Sequence, residues 1–239
     1  SAHVSVGCRC RYHQGVIAKR KQELWDALAA VSPGMPLREG LDRISKARMG
    51  ALIVVGDGPE VLNVCSGGFL LDAAFTPQRL SELAKMDGAI ILSSDSSRIA
   101  RANVHMVPNP NVPTTETGTR HRTAERVARS VAVPVATVSE DMAVLTVYRG
   151  DEKYQLESIP NILNRCDQAL QTLERYKSRL NEELASLTAH EVEGLVTLRD
   201  VIVVLQRSEM VSRIAEELRH HLIELGADGR LVRLQLRDL

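Results

Sequence analysis

Aromatic side chains are scarce, at 3% of the 239 residues, and Trp25 is the one tryptophan. That scarcity argues against the stacking platforms on which single-stranded nucleic acids lie. Charge of one sign is not in excess either: 30 Lys and Arg stand against 30 Asp and Glu. The chain therefore has no global electrostatic footprint for DNA or RNA, which leaves only a local patch open. No apolar run is long enough to span a bilayer, and Ser1 to Gly15 lacks the apolar stretch of a secretory signal. Cysteine is limited to Cys8, Cys10, Cys65 and Cys166, whose spacing fits neither a zinc ribbon nor a thioredoxin-like pair. Reduced thiols in a cytoplasmic protein are the expectation. Several motifs are also missing: G-x-x-x-x-G-K-[ST], G-x-G-x-x-G after a strand, H-E-x-x-H and G-x-S-x-G. Gly56-Asp57-Gly58 and Gly67-Gly68 read as turns.

Apolar residues make up 44% of the chain, enough for a core. Residues 1–22 read as a polar N-terminal extension. Amphipathic spacing predicts helices over Lys19 to Val31 and Pro36 to Ala47. Gly50 to Val55 and Ala89 to Leu92 read as buried strands. Val61 to Cys65 reads as a return strand, and Ile99 to Val107 as an outgoing one. Thr76-Pro77 opens a short helix, with threonine as cap and proline at the first helical position. Val133 to Val138 and Met142 to Tyr148 read as two further strands. Strands interleaved with helices predict an α/β domain on a mixed sheet flanked by helices, spanning 23–155.

After Gly150 the pattern becomes helical. Ile159, Leu163, Cys166, Leu170 and Leu173, then Leu180, Leu184 and Leu187, step by threes and fours, with an interruption at Tyr176-Lys177. Thr188-Ala189-His190-Glu191 fits a capping box for a second helix. Met210 to Leu225 reads as a third, stopped by Gly226 to Gly229. An all-α helical domain over 156–239 is expected.

Chemistry concentrates in Gly118-Thr119-Arg120-His121-Arg122-Thr123-Ala124-Glu125. Ala124, Val127, Ala128 and Val131 follow at helical spacing, so three potentially cationic side chains sit where a helix begins. A helix N-terminus already carries partial positive charge and unpaired N–H groups. Cations gathered there make sense around an anion, and phosphate suits arginine forks. The bland alternative is a solvated cluster paired with Glu116 and Glu125. Asp87-Gly88 is a turn signal taken alone. At the mouth of a buried strand, an acid can also bind a divalent metal and help deprotonate a hydroxyl.

Together, Met86-Asp87-Gly88-Ala89 and the Gly118–Glu125 stretch resemble the paired signatures of the diadenylate cyclase domain. Gly50-Ala51-Leu52-Ile53-Val54, Ser66-Gly67-Gly68-Phe69, Phe75-Thr76-Pro77-Gln78-Arg79-Leu80 and Leu173-Glu174-Arg175-Tyr176-Lys177 resemble its DisA branch, the DNA-integrity scanning family. The resemblance covers roughly Glu23 to the end. It implies that two ATP molecules condense into cyclic di-AMP with release of two pyrophosphates, across a face-to-face pair of domains. It implies a homo-oligomer, an octamer in this branch, and Mg2+ or Mn2+ as cofactor. On that scheme Asp87 is catalytic and holds the metal. Gly88 lets the nucleotide approach the backbone, and Met106 occupies an adenine-contacting position. Thr119, Arg120, His121, Arg122, Thr123 and Ser139 hold the phosphates. Full-length members continue into a helix-hairpin-helix domain that binds branched DNA. This sequence stops in the helical linker, so DNA binding is expected to be absent or weak. Two alternatives are a catalytically weak module that binds ATP or cyclic di-AMP, and a DNA-scanning scaffold.

Overall fold

The computed structural model describes residues 20–140, 142 and 144–239. The polar extension expected over 1–22, up to residue 19, lies outside the described residues, as do Cys8 and Cys10. The chain divides into two compact units, the first ending at Leu156 and the second running Glu157–Leu239.

The first unit is built on β1 (Ala51–Val55), an apolar strand at the middle of an eight-stranded sheet. Ile53 and Val54 point to opposite faces and are both fully buried, each in a different core cluster. Helices on both faces explain why the strand reads as a continuous apolar run and not as an alternation. Helix α1 (20–30), helix α2 (Pro36–Lys46) and helix α4 (Pro77–Leu83) cover one face. Helix α5 (Thr119–Val131) covers the other, burying Ala124, Val127 and Ala128 completely. Complete burial of a side chain such as Val127 contributes roughly 1.5–3 kcal/mol.

The remaining strands are β2 (Cys65–Ser66), β3 (Phe69–Ala74), β4 (Ala89–Leu92), β5 (Arg98–Met106), β6 (Val135–Val138), β7 (Leu145–Arg149) and β8 (Glu152–Gln155). Their order is β2-β5-β4-β1-β6-β7-β8, with β3 also paired to β5. Only β1 and β4 run parallel, so the sheet is mixed as expected. Thr76 caps α4 by accepting from the Arg79 N–H at 3.1 Å, and Pro77 takes the first helical position.

One expected strand is overturned. Residues expected to form a return strand at Val61 to Cys65 instead enter a short helix, α3 (Pro59–Asn63), and only Cys65 and Ser66 pair as β2. Pro59 has its φ preset for a helical first turn and has no N–H to offer a sheet. Val61 then turns inward and is 1% exposed. Strands β3 and β8 have no counterpart in the sequence reading.

In the second unit, α6 (Ile159–Glu193) and α7 (Leu198–Leu225) form a hairpin, followed by a 3-10 turn (Gly226–Gly229) and α8 (Arg230–Asp238). Its core joins Cys166, Leu170 and Leu173 to Leu218, Leu222 and Leu225. Two long helices replace the three expected. The Thr188 capping box does not form. Thr188 lies inside α6, where its hydroxyl donates to the Leu184 carbonyl at 2.9 Å. The helix ends instead at Gly194, in the left-handed region, and the capping box belongs to Thr197 and Asp200. The interruption at Tyr176-Lys177 does not break α6; Tyr176 lies under the Arg207 guanidinium, 5.8 Å from its ring centroid. No helix among the described residues is long and apolar enough to cross a membrane.

Candidate functional site

Helix α5 starts at Gly118 with extended backbone and no side-chain cap. The first N–H groups of an α-helix have no intrahelical partner, so this end presents donors and partial positive charge. A cavity of about 460 Å3 opens beside it. Leu52 of β1, Ala89 of β4, and Val104 and Met106 of β5 form its apolar walls. Thr119, Arg120, His121 and Thr123 line it from α5, and Gly88 and Ser139 from strand ends.

Arg120 is half-buried, and its side chain has neither a hydrogen bond nor an ion pair among the described residues. The alternative, in which Arg120 and Arg122 pair with the Glu116 and Glu125 carboxylates, is not seen among the described residues. Glu116 instead takes Tyr148 and Lys153. Glu125 is buried against Arg129 at 2.9 Å and accepts from the Thr114 hydroxyl at 2.5 Å and the Thr115 N–H at 3.1 Å. Burial pushes the His121 imidazole below the ordinary histidine range; Glu116 opposes that, while Lys153 and Arg120 reinforce it.

Arg122 does not line the cavity. Its guanidinium donates to the Thr117 carbonyl at 3.1 Å and the Glu116 carbonyl at 3.5 Å. Arg126 donates to the Val112 carbonyl at 3.1 Å, and Arg129 to that of Pro113. Spaced by four and then three residues, the three arginines share one helix face and stitch the 112–117 loop onto α5. The sequence reading missed Glu125, Arg126 and Arg129 in this role. Their helical spacing beside a Pro- and Thr-rich loop with carbonyls to satisfy was the available signal.

Thr123 donates its hydroxyl to the Thr119 carbonyl at 3.0 Å, leaving lone pairs but no proton for a ligand. Ser139 is buried and accepts from the Met142 N–H at 3.4 Å, which leaves its hydroxyl proton for an acceptor. Met106 is buried at the end of β5, with its sulfur 3.8 Å from that of Cys65.

Gly88 sits at φ +99°, and a β-carbon there would lie 2.9 Å from the Asn103 carbonyl carbon and 3.0 Å from the Val104 nitrogen. The β4–β5 register shifts beside it, and Asn103 is itself in the left-handed region. Glycine is required where two backbones close on each other at such an irregularity. Asp87, one residue earlier, is exposed, does not line the cavity, and has no hydrogen bond or ion pair among the described residues. Glu140 and His105, to which the sequence reading gave no role, also line the cavity.

Among the described residues no three His, Cys, Asp or Glu side chains gather as a metal site. A cation of the Mg2+ class binds through one or two carboxylates and completes its shell with substrate phosphates and water. The lone, exposed Asp87 carboxylate fits such a shared cation and not one held by the protein alone.

A mixed sheet with an uncapped helix end, and an arginine side chain unpaired among the described residues at a cavity, defines a domain suited to a phosphate-bearing ligand. The family model described as "DisA bacterial checkpoint controller nucleotide-binding" matches residues 38–153, and the DisA linker-region model matches 156–239. The chain belongs to the DisA family, with its nucleotide-binding domain followed by its linker region. It is 56% identical over 212 residues to the DNA integrity scanning protein DisA of Parafrankia sp., covering 89% of this chain and 59% of that protein. To the protein of the same name from Kineococcus radiotolerans it is 54% identical over 216 residues, covering 90% and 60% respectively. The chain thus spans about three-fifths of the length of these curated relatives. DacA from Staphylococcus aureus aligns at a TM-score of 0.43 and 21% identity, over 59% of this chain and 90% of that one.

Proposed function

We propose that this chain is the catalytic part of a diadenylate cyclase, which condenses two ATP molecules into cyclic di-AMP and two pyrophosphates. One observation carries the reading: Arg120, a cation whose side chain has no hydrogen-bond or ion-pair partner among the described residues, stands in a cavity wall at the start of α5. A triphosphate supplies the anion that this end of the helix needs. Thr119, Arg120 and His121 are assigned to the phosphates, with Ser139 as a further donor. Thr123 serves by bracing Thr119, to whose carbonyl its hydroxyl donates. Met106 packs against the adenine, and Gly88 keeps the floor free of side chain. Arg122 acts on the loop carbonyls.

In each half-reaction the 3′-hydroxyl oxygen of one nucleotide bonds to the α-phosphorus of the other. The bond from that phosphorus to the pyrophosphate oxygen breaks, and the hydroxyl proton is released. Two such transfers close the ring. Asp87 is assigned to the attacking hydroxyl, where its carboxylate would hold the cation. Bound Mg2+ or Mn2+ supplies positive charge that eases loss of the hydroxyl proton. The rest is positioning and stabilisation of charge that builds on the phosphoryl oxygens. Since each nucleotide needs the other, the working unit is a face-to-face pair of domains within a cytoplasmic homo-oligomer. Exposed Asp87, outside its own chain's cavity lining, suits a role toward the nucleotide of the facing subunit.

Incubation with ATP and Mg2+ or Mn2+ tests the proposal. Cyclic di-AMP and pyrophosphate in a 1:2 ratio are expected. Asp87→Asn is expected to abolish turnover and to spare ATP binding. No product from an assembled oligomer overturns the reading, and full activity of Asp87→Asn removes that residue from catalysis.

A further inference from the structure

The Arg120 guanidinium lies against the main chain of Gly50, the residue before β1. A β-carbon on Gly50 would stand 1.9 Å from Nη1 of Arg120, 2.6 Å from Cζ and 3.0 Å from Nη2. These three are the nearest atoms that a side chain there would meet, and all belong to Arg120. The backbone does not demand glycine, because Gly50 is not among the residues with positive φ. This contrasts with Gly88, where the obstacle is main chain and φ is +99°.

Arg120 has no hydrogen bond or ion pair among the described residues to fix it. Among the described residues it is packing that holds its guanidinium in place, and the space above Gly50 is the part of that packing made by an absent side chain. We infer that Gly50 is a positioning residue of this site: the gap it leaves keeps the Arg120 guanidinium at the cavity wall. The inference rests on Arg120 being a phosphate-binding group.

A methyl group at position 50 would meet the end of a flexible side chain, so the arginine would yield and the fold would not. The guanidinium would have to withdraw by on the order of 1 Å, and misplacing a substrate-positioning group that far costs up to about a hundredfold.

The test uses four proteins: wild type, Gly50→Ala, Arg120→Ala and the double variant. ATP affinity is measured by titration calorimetry, turnover by pyrophosphate release, and folding by circular dichroism and Tm. Gly50→Ala is expected to keep its Tm within a few degrees and to weaken ATP binding between about ten- and a hundredfold. In the Arg120→Ala background the same change is expected to do nothing further, because the atoms it displaces are gone. Wild-type affinity in Gly50→Ala overturns the inference, and so does an equal loss in both backgrounds. If Gly50→Ala fails to fold while the double variant folds, the clash is demonstrated directly; if neither folds, Gly50 serves the backbone and the inference fails. Unchanged ATP affinity in Arg120→Ala is a different failure, that of the phosphate-binding reading itself.

Discussion

The Tyr148 hydroxyl donates to Oε1 of Glu116 at 3.0 Å, and the Lys153 ammonium reaches the same oxygen at 2.5 Å. Through that carboxylate, β7 and β8 anchor the loop from which α5 departs. Burial pushes the Glu116 carboxyl upward, but Lys153 and Tyr148 outweigh it and hold the group below its ordinary value. A carboxylate depressed in the folded state contributes stability above its unfolded pKa, and loses it as pH falls through the folded value. Tyr148→Phe is expected to cost about 1.5–3 kcal/mol at pH 7, the range for hydrogen bonds to charged groups. The cost should shrink once Glu116 is protonated. Urea unfolding of both proteins from pH 7 down to pH 2 checks this, and an equal cost across that range would show that Glu116 is not the partner that matters.

Gly88→Ala combines a left-handed backbone with a close approach to the main chain of β5. Neither neighbour can swing away as a side chain would. The variant is expected to lose roughly 1–3 kcal/mol, seen as a lower urea midpoint at unchanged m-value. Because Gly88 also lines the cavity, ATP binding should weaken in the same protein.

Burial is the main cause that holds the His121 imidazole below its ordinary value, with Lys153 and Arg120 acting in the same direction and Glu116 against them. A histidine depressed on folding contributes stability above its unfolded pKa near 6.5, which falls away as pH drops through the folded value. A bound triphosphate pulls the other way, favouring the imidazolium, so ATP binding should take up a proton. From pH 8 to pH 5.5, wild-type affinity is expected to gain roughly three- to tenfold relative to His121→Asn. Calorimetry in two buffers of different ionisation enthalpy counts the protons. An equal count in both proteins would remove His121 from the phosphates.

Thr197→Ala removes one half of the capping box that starts α7 and is expected to destabilise the second unit by about 0.5–2 kcal/mol. Thr188→Ala, inside α6, should change little, because its hydroxyl only bonds back along the helix. Urea unfolding of the two variants decides between the two cap positions, and a larger loss from Thr188→Ala would contradict the continuous helix.

The buried strands β1 and β4 were legible because both faces are covered, which leaves an uninterrupted apolar run. The start of α5 was legible because its apolar spacing begins just after Gly118. The α3 turn was not: Val61 and Val64 suit a strand by composition, and Pro59 decided against it by where it falls. Strands β3 and β8 were illegible for another reason. β3 opens on the apolar run Phe69-Leu70-Leu71, which is exposed, and β8 is the polar Glu152-Lys153-Tyr154-Gln155, so neither shows the apolar-polar alternation of a half-buried strand. Thr188 had the right neighbours for a cap and lost to the continuity of α6.

The sequence by itself determined the chemistry on offer: a cluster of Arg and His at a helix start, an acid beside a glycine, and strands apolar enough to bury. Those follow from residue type and local spacing, which need no partner to act. Only the tertiary structure decided how the chemistry is divided. Arg120 and Arg122 are two residues apart and identical in kind, so local spacing cannot rank them. The helix turns one toward a cavity, over the bare backbone of Gly50, and the other toward the carbonyls of its own loop. That separation arises from contacts between Gly50 and Arg120, 70 positions apart in the chain, which no local pattern contains.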